Sequence, residues 1–186
     1  MALTRVKKVP TANLVQGSSF LTTASTITTS NMPAGTIIQV KRNVGTTEYA
    51  TTSNSTYTNI ADINTTITPK SASSILFFQM SGQVFMTSLA NGQAGVEMRL
   101  RNHTSSTTLE DFRGVSFINN NGAAYQSQDM RYFCFNYTES ASSTNAREYR
   151  LEYKIEGSYN SVGGAYIGWS DQNTSPQGMV IYEIAQ

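Results

Sequence analysis

The strongest strand signal in the chain is the run Ile75-Leu76-Phe77-Phe78-Gln79-Met80-Ser81-Gly82-Gln83-Val84-Phe85-Met86. From Leu76 to Met86 every second residue is apolar or glycine, which is the alternation of a strand with one buried face. The same alternation recurs along the chain, in Ile38 and Val40; Ile63 and Ile67; Val96, Met98 and Leu100; and Tyr149, Leu151, Tyr153 and Ile155. Turn sequences such as Asn91-Gly92 and Gly163-Gly164 separate these runs, and no helical stripe interrupts them. About eight to ten short strands with this spacing predict an all-β sandwich or barrel.

The composition excludes several classes of function. Charged residues make up 13% of the chain and the formal net charge is +1, whereas soluble domains average about 25% charged residues. This balance gives no electrostatic basis for binding nucleic acid. No segment approaches the roughly 20 apolar residues that cross a bilayer, so we expect no membrane insertion. Residues 1–16 lack the apolar core of a signal peptide, which predicts synthesis in the cytoplasm.

The N-terminal segment differs in composition from the rest of the chain. Residues 1–35 have too few apolar residues, at either period, to form a core of their own. We therefore expect residues 1–35 to be an arm that orders against a partner, or else a disordered tail, and residues 36–186 to form the sandwich head. The candidate docking residues in the arm are Leu3, Arg5, Lys7, Lys8, Leu14 and Val15.

Two predicted strands are apolar on both faces. In one, Phe133, Phe135 and Tyr137 alternate with Met130, Tyr132 and Cys134; in the other, Val180, Tyr182 and Ile184 alternate with residues such as Ile181. A strand of an isolated sandwich needs only one apolar face, so the second face is expected to meet a symmetry mate. The candidate residues for a shared oligomer core are Phe133, Phe135, Tyr137, Val180, Tyr182 and Ile184.

No residue pattern indicates catalysis, and we expect no catalytic site, metal or cofactor. The one cysteine, Cys134, is expected to be a small buried hydrophobic residue, and the one histidine, His103, to lie in a surface turn. Residues 171–174 offer oxygen ligands for calcium but lack a bidentate acidic partner. Glu183 lies in an apolar run, and pairing with an arginine at a subunit boundary is expected. The alternative is a raised pKa, as in the general acid of a glycan-degrading enzyme.

Both ends of the head resemble a known family. The segments that carry the resemblance are Gly35-Thr36-Ile37-Ile38-Gln39-Val40, Thr51-Thr52-Ser53-Asn54-Ser55-Thr56-Tyr57-Thr58-Asn59-Ile60, Ile67-Thr68-Pro69-Lys70-Ser71-Ala72-Ser73-Ser74-Ile75-Leu76, Ile167-Gly168-Trp169-Ser170-Asp171 and Gly178-Met179-Val180-Ile181-Tyr182-Glu183-Ile184-Ala185. In this order they resemble a head domain of bacteriophage tail fibres, common in marine and cyanobacterial phages. The start Met1-Ala2-Leu3-Thr4-Arg5-Val6 is also similar to such proteins. The resemblance runs from Gly35 to Gln186 and is weak between Ala90 and Asn160.

The resemblance implies a jelly roll of the tumour-necrosis-factor-like kind that assembles as a homotrimer and is a component of the virion. It implies a tail or head fibre, or a trimeric decoration on the capsid. Since no extended shaft separates arm and head, we expect a short fibre or spike, attached through the arm to other virion proteins of the tail, collar or capsid. The head would adhere to a glycan of the host surface. Candidate receptor-loop residues are Asn120, Asn121, Tyr125, Tyr159 and Asn160, because such side chains offer adaptable hydrogen bonds. Trp169 could stack on a sugar, although burial within the sheet is expected.

The chain lacks the long shaft of a host-searching fibre, which keeps a second function open. This alternative is a trimeric decoration or cement protein that stabilises the capsid without binding a ligand. A small glycan-degrading enzyme is the third class.

Overall fold

A computed structural model of the chain describes residues 32–88, 93–119, 127–156, 162–168 and 176–186. These residues form an all-β structure, as predicted, with one short 3-10 turn at Ala61–Ile63. The strands are β1 (Ile37–Gly45), β2 (Tyr49–Thr51), β3 (Thr58–Asn59), β4 (Thr65–Ile67), β5 (Ile75–Ser88), β6 (Gln93–Asn102), β7 (Thr107–Asn119), β8 (Ser127–Ser140), β9 (Arg147–Ile155), β10 (Val162–Ile167) and β11 (Gln177–Ile184). The pairings described below are all antiparallel.

The first sheet, called sheet 1, is organised around β5. Strand β8 pairs with β5 along one side from Ile75 to Ser88. On the other side of β5, β11 pairs with its first half and β10 with its second half. Strands β1 and β2 extend these two strands outward, so β1 and β8 lie at opposite edges of the sheet.

The second sheet, called sheet 2, has the order β3-β9-β6-β7, with β4 also paired to β9. The pairs across the two sheets are nested in the sequence: β1 with β11, β3 and β4 with β9, β5 with β8, and β6 with β7. Nested pairs that alternate between two sheets are the arrangement of a jelly roll. The predicted fold class is therefore confirmed.

The core lies between the two sheets and consists of the alternating residues named above. Leu76, Phe78 and Met80 of β5 are fully buried, as are Met98 of β6 and Tyr149 of β9. The Phe78 and Tyr149 rings meet edge to face at 4.7 Å and join the sheets. Other buried members are Ile63, Ile67, Val84, Met86, Val96, Leu100, Leu151, Tyr153, Ile155, Met179 and Ile181.

Two details of the strand pattern differ from the prediction. Eleven strands are present among the described residues, because the short β2 and β3 have too few residues to show an alternation. Ile38 and Val40 were expected to share the buried face, but Val40 is 49% exposed. The pairing of β1 with β11 is irregular between Ile37 and Gln39, and this bulge shifts the side chains that follow.

Candidate functional site

The outer face of sheet 2 is charged, and the charges on its strands β6 and β9 are paired. Arg99 and Glu152 face each other on β6 and β9, with Nη2 of Arg99 at 2.6 Å from Oε2 of Glu152. Lys154 lies 3.7 Å from Glu97 in the neighbouring pair of the same two strands. Glu97 and Glu152 are almost fully buried within this network. The face is therefore a satisfied polar surface that needs no further partner.

Tyr57 completes this polar surface. The guanidinium carbon of Arg99 lies 3.8 Å from the centroid of the Tyr57 ring, and the Lys154 ammonium lies 4.7 Å from it. The Tyr57 hydroxyl donates a hydrogen bond to Glu97. Burial, and then this hydrogen bond, raise the pKa of Tyr57 well above its ordinary value of 10.0. The Tyr57 side chain therefore partly covers the charged side chains of β6 and β9.

The outer face of sheet 1 exposes large apolar side chains among polar ones. Large apolar side chains are exposed on its two edge strands, namely Ile37 (54%), Val40 (49%) and Val44 (44%) on β1, and Met130 (45%) and Tyr132 (80%) on β8. Between them lie the half-buried side chains of Phe77 on β5 and of Val180, Tyr182 and Ile184 on β11. We call these nine residues the apolar face. Polar side chains of the same face, such as Arg42, Gln79, Ser81 and Asn136, lie among them. Large exposed apolar side chains in this number are typical of an interaction site.

The apolar face contains a groove, with a second cavity beside it. Val40, Tyr182 and Phe77 form one row across β1, β11 and β5, with the last two rings 5.9 Å apart. A groove of about 210 Å³ crosses it, lined by Ile37, Phe77, Gln79, Tyr182 and Ile184. A second cavity of about 220 Å³ lies beside it, lined by Arg42, Val44, Gln79, Ser81, Pro176, Gln177, Gly178 and Val180.

The structure divides the residues predicted for the oligomer core between the two sides of sheet 1. Val180, Tyr182 and Ile184 lie on the apolar face. Phe133 is only 5% exposed inside the sandwich, and Phe135 and Tyr137 pack against the core. These three therefore do not belong to the outer surface. The Phe135 ring stacks on Phe112 of β7 at 4.1 Å, which closes the sandwich between β7 and β8.

Cys134 is exposed, and the expectation that it would be buried was wrong. Strand β8 is apolar on both sides, as the sequence analysis indicated, but the phenylalanines take the inner side. Cys134 consequently points outward beside Tyr132. His103 lies in the turn between β6 and β7, as predicted.

Glu183 is a buried carboxylate held by neutral donors. It is 0% exposed and accepts hydrogen bonds from the backbone N–H groups of Lys70 (2.8 Å) and Ser71 (3.0 Å), the Ser74 hydroxyl (2.7 Å) and the Gln39 amide (2.6 Å). Burial alone would raise its pKa, but the hydrogen bonds outweigh burial and lower the pKa below its ordinary value of 4.5. The alternative of a raised pKa was wrong, and among the described residues the carboxylate is held by these neutral donors. We call this arrangement the Glu183 clasp.

The two ends of sheet 1 carry different parts of the chain. At one end, Ile184 of β11 pairs with Ile37 and Ile75, and the Gly35 N–H donates to the Ala185 carbonyl at 2.8 Å. This is where residues 1–35 join the head. At the other end, Ser88 pairs with Ser127 and Val162. Strand β5 has 14 residues, so roughly 43 Å separates the ends at about 3.3 Å per residue.

Two of the predicted sites lie outside the described residues. They are the docking residues Leu3, Arg5, Lys7, Lys8, Leu14 and Val15, and the receptor-loop residues Asn120, Asn121, Tyr125, Tyr159 and Asn160. Trp169 and the oxygen-rich residues 171–174 also lie outside them. However, the strand ends that flank residues 120–126 and 157–161 are described, and they lie at the end of the sandwich opposite the arm.

Within the described part of the chain, no three His, Cys, Asp or Glu side chains lie close enough together to hold a metal ion. Nor does any helix there have the length and apolar character needed to span a membrane.

No protein-family model and no curated protein matches the chain. Similar solved structures include those of infectious bursal disease virus strain Gx (TM-score 0.37, 16% identity, covering 80% of this chain and 37% of that chain) and strain Gt (0.37, 15%, 96% and 47%). Another is the VP2 subviral particle of infectious bursal disease virus (0.35, 15%, 80% and 38%). The chain spans less than half the length of these solved chains.

Proposed function

We propose that the protein is a homotrimeric structural component of a virus particle, a short fibre or spike that displays its head for adhesion to a host-surface glycan. The observation that carries the trimer is the contrast between the two outer faces of one sandwich. Sheet 2 presents paired charges to water, whereas sheet 1 presents the apolar face. Copies of the same chain would cover the apolar face about a closed symmetry axis.

The likeness to phage fibre heads at Gly35–Val40 and Gly178–Ala185 supports the virion role and the count of three. Both segments lie in sheet 1, in β1 and β11, and they contribute Ile37, Val180 and Tyr182 to the apolar face. Two of the five segments that carry the resemblance therefore contribute to the surface that needs a partner.

The separation of the two ends supports the direction of attachment. The arm joins the head at the Ile37 end, and the strand ends that flank residues 120–126 and 157–161 lie about 43 Å away. An arm fixed in the particle would thus leave these strand ends far from the point of attachment. Three heads on one trimer would combine weak contacts with a repetitive glycan into useful avidity.

The trimer is tested by sedimentation of the purified protein. We expect the mass of three 20.3 kDa chains. Val40→Glu and Tyr132→Glu place a charge at exposed positions of the apolar face, so both variants should fold but dissociate. Thr66→Glu, at an exposed position of β4 in sheet 2, is the matched control and should remain trimeric. A wild-type protein that sediments as a single chain would refute the proposal.

The virion role and the mode of action are tested separately. Antibody labelling should place the protein on the outside of purified particles. Binding of the isolated trimer to a glycan array would support adhesion. Rupture of particles that lack the protein, together with no signal on the array, would instead favour the capsid cement role. Release of sugar from host polysaccharide would identify an enzyme and contradict both.

A further inference from the structure

A polar row crosses the outer face of sheet 1 among the apolar side chains. Arg42 of β1, Val180 of β11, Gln79 of β5 and Asn136 of β8 lie side by side in register across the sheet. Ser81 follows Gln79 on the same face of β5, and all four polar residues are exposed. The surface that the proposed trimer would cover therefore contains a band of polar groups that also need partners.

Arg42 carries the one charge that the described strands β1, β5, β8 and β11 place on this face by their register. The adjacent Lys41 pairs with Ile181, which is buried in the core, so Lys41 belongs to the other side of β1. No described acidic side chain forms an ion pair with Arg42. A second copy that met Arg42 with the same four strands would offer it no described carboxylate.

The cavity of about 220 Å³ beside Arg42 is lined by hydrogen-bond donors. Gln79 and Ser81 share this lining, Val44 and Val180 add apolar walls, and no described acidic residue takes part in it. The side chains of Arg42, Gln79 and Ser81 make no hydrogen bond to another described residue. A water molecule occupies about 30 Å³ of liquid, so the cavity has room for a small ion together with water. We call it the Arg42 cavity.

The donors of the Arg42 cavity match the chemistry of an oxyanion. A guanidinium presents a planar fork of N–H groups that binds two oxygens of one phosphate or carboxylate. The Gln79 amide and the Ser81 hydroxyl supply further donors on the same side of the sheet. The site therefore combines a positive charge with neutral donors, as the binding of a small anion requires.

We propose that the Arg42 cavity binds one small oxyanion, such as phosphate, in each head, and that the contact between subunits encloses this ion. A guanidinium loses its hydration when a neighbouring subunit covers it, and only an opposite charge offsets that cost. An oxyanion taken up from solution supplies the charge. The inference rests on the proposed trimer and adds a ligand to it, because assembly then takes up one anion for each chain.

Sedimentation equilibrium of the full chain at rising phosphate concentration tests this uptake. Sodium chloride is exchanged for sodium phosphate at constant pH and ionic strength, so that charge screening stays the same. If each of three chains takes up one ion on assembly, raising phosphate from about 10 to about 100 mM should increase the trimer association constant at least tenfold and up to roughly a thousandfold.

Three substitutions on β1 separate a specific site from a general salt effect. Arg42→Gln should remove the dependence on phosphate, whereas Lys41→Gln, the adjacent exposed basic residue on the other side of the strand, is the matched control and should keep it. Phosphate also strengthens apolar association in general, but that effect would act equally on Arg42→Gln. In chloride alone, Arg42→Met should associate at least as tightly as the wild-type protein, because no guanidinium has to be desolvated.

The outcomes distinguish failure of the anion site from failure of the trimer. A wild-type trimer that is independent of phosphate, or an equal rise for wild type and Arg42→Gln, would overturn the anion site and leave the trimer standing. An equal loss of the dependence in Lys41→Gln and Arg42→Gln would show non-specific attraction of anions to β1. Weaker association of Arg42→Met in chloride would mean that the neighbouring subunit itself pairs with Arg42, which also overturns the inference. A single-chain mass in every buffer would refute the trimer as well.

Discussion

Replacing Glu183 by glutamine should destabilise the head severely, although the two side chains have almost the same shape. One carboxylate oxygen, Oε2, accepts from the Gln39 amide at 2.6 Å and from the Lys70 N–H at 3.0 Å. In Glu183→Gln, an NH₂ group at this position would face two donors. If it turns the other way, it faces the Lys70 and Ser71 N–H groups and the Ser74 hydroxyl instead.

The expected loss follows from the bonds that cannot be remade. A hydrogen bond to a charged group contributes about 1.5–3 kcal/mol, and an unsatisfied buried donor costs about 1–3 kcal/mol. Gln39 could rotate its amide to relieve one clash, but it would then give up its bond to the Thr68 carbonyl at 2.8 Å. The variant should therefore lose about 2–4 kcal/mol of unfolding free energy.

Urea unfolding followed by circular dichroism, at one fixed subunit concentration, measures this loss. Glu110→Gln, an exposed position on β7, is the matched control and should change the free energy by no more than about 0.5 kcal/mol. A loss below about 0.5 kcal/mol for Glu183→Gln would refute the view that the clasp is a charged, fully satisfied site.

The same site predicts a difference in acid stability. Because the folded-state pKa of Glu183 is lowered from 4.5, its stabilisation is fully present above about pH 4.5 and is lost as the pH falls through the folded-state value. The free energy of unfolding of the wild-type protein should therefore approach that of Glu183→Gln below pH 4.5. Parallel curves over this range would contradict the lowered pKa.

Two further substitutions test the packing. Gly45→Ala would place its Cβ 2.0 Å from the Asp62 Cβ and should lower the unfolding free energy by about 1–3 kcal/mol in urea titration, whereas Gly178→Ala, with its nearest neighbour at 3.5 Å, should be tolerated. Phe133→Ala should cost about 3–5 kcal/mol at any subunit concentration, because it opens a cavity in the core. The adjacent Tyr132→Ala should instead shift the association equilibrium in sedimentation and leave the dichroism spectrum unchanged; the opposite pattern would reverse the two faces of β8.

The sandwich could be predicted from the sequence because alternation is a local signal. Every second position from Leu76 to Met86 lies on one face of the strand, whatever the rest of the chain does. The residues of β6 and β9 that pack against this face show the same apolar alternation in the sequence. The bulge in β1 could not be predicted in this way. It depends on how Ile37 and Gln39 pair with β11, which is distant in the sequence.

The apolar face was predicted in part. Alternation separates Phe133 from Tyr132, but it does not say which of two apolar sides faces the core. The core side is decided by a partner from another strand, here Phe112, which stacks on Phe135. The Glu183 clasp was even harder to predict from the sequence. Two of its donors are the backbone N–H groups of residues 70 and 71, which do not depend on the side chains at these positions.

The contrast between the two outer faces is what connects this fold to an assembly. Both faces belong to antiparallel sheets of one sandwich, so the backbones of the two faces are hydrogen-bonded in the same way. Sheet 2 meets water with ion pairs such as Arg99–Glu152, while sheet 1 meets it with Val40, Tyr132 and Tyr182. Only the side chains at alternate positions differ, and exposing apolar area costs about 25 cal/mol per Å². The proposed association through sheet 1 would remove this apolar area from water, and the arm is attached at the end of that same sheet.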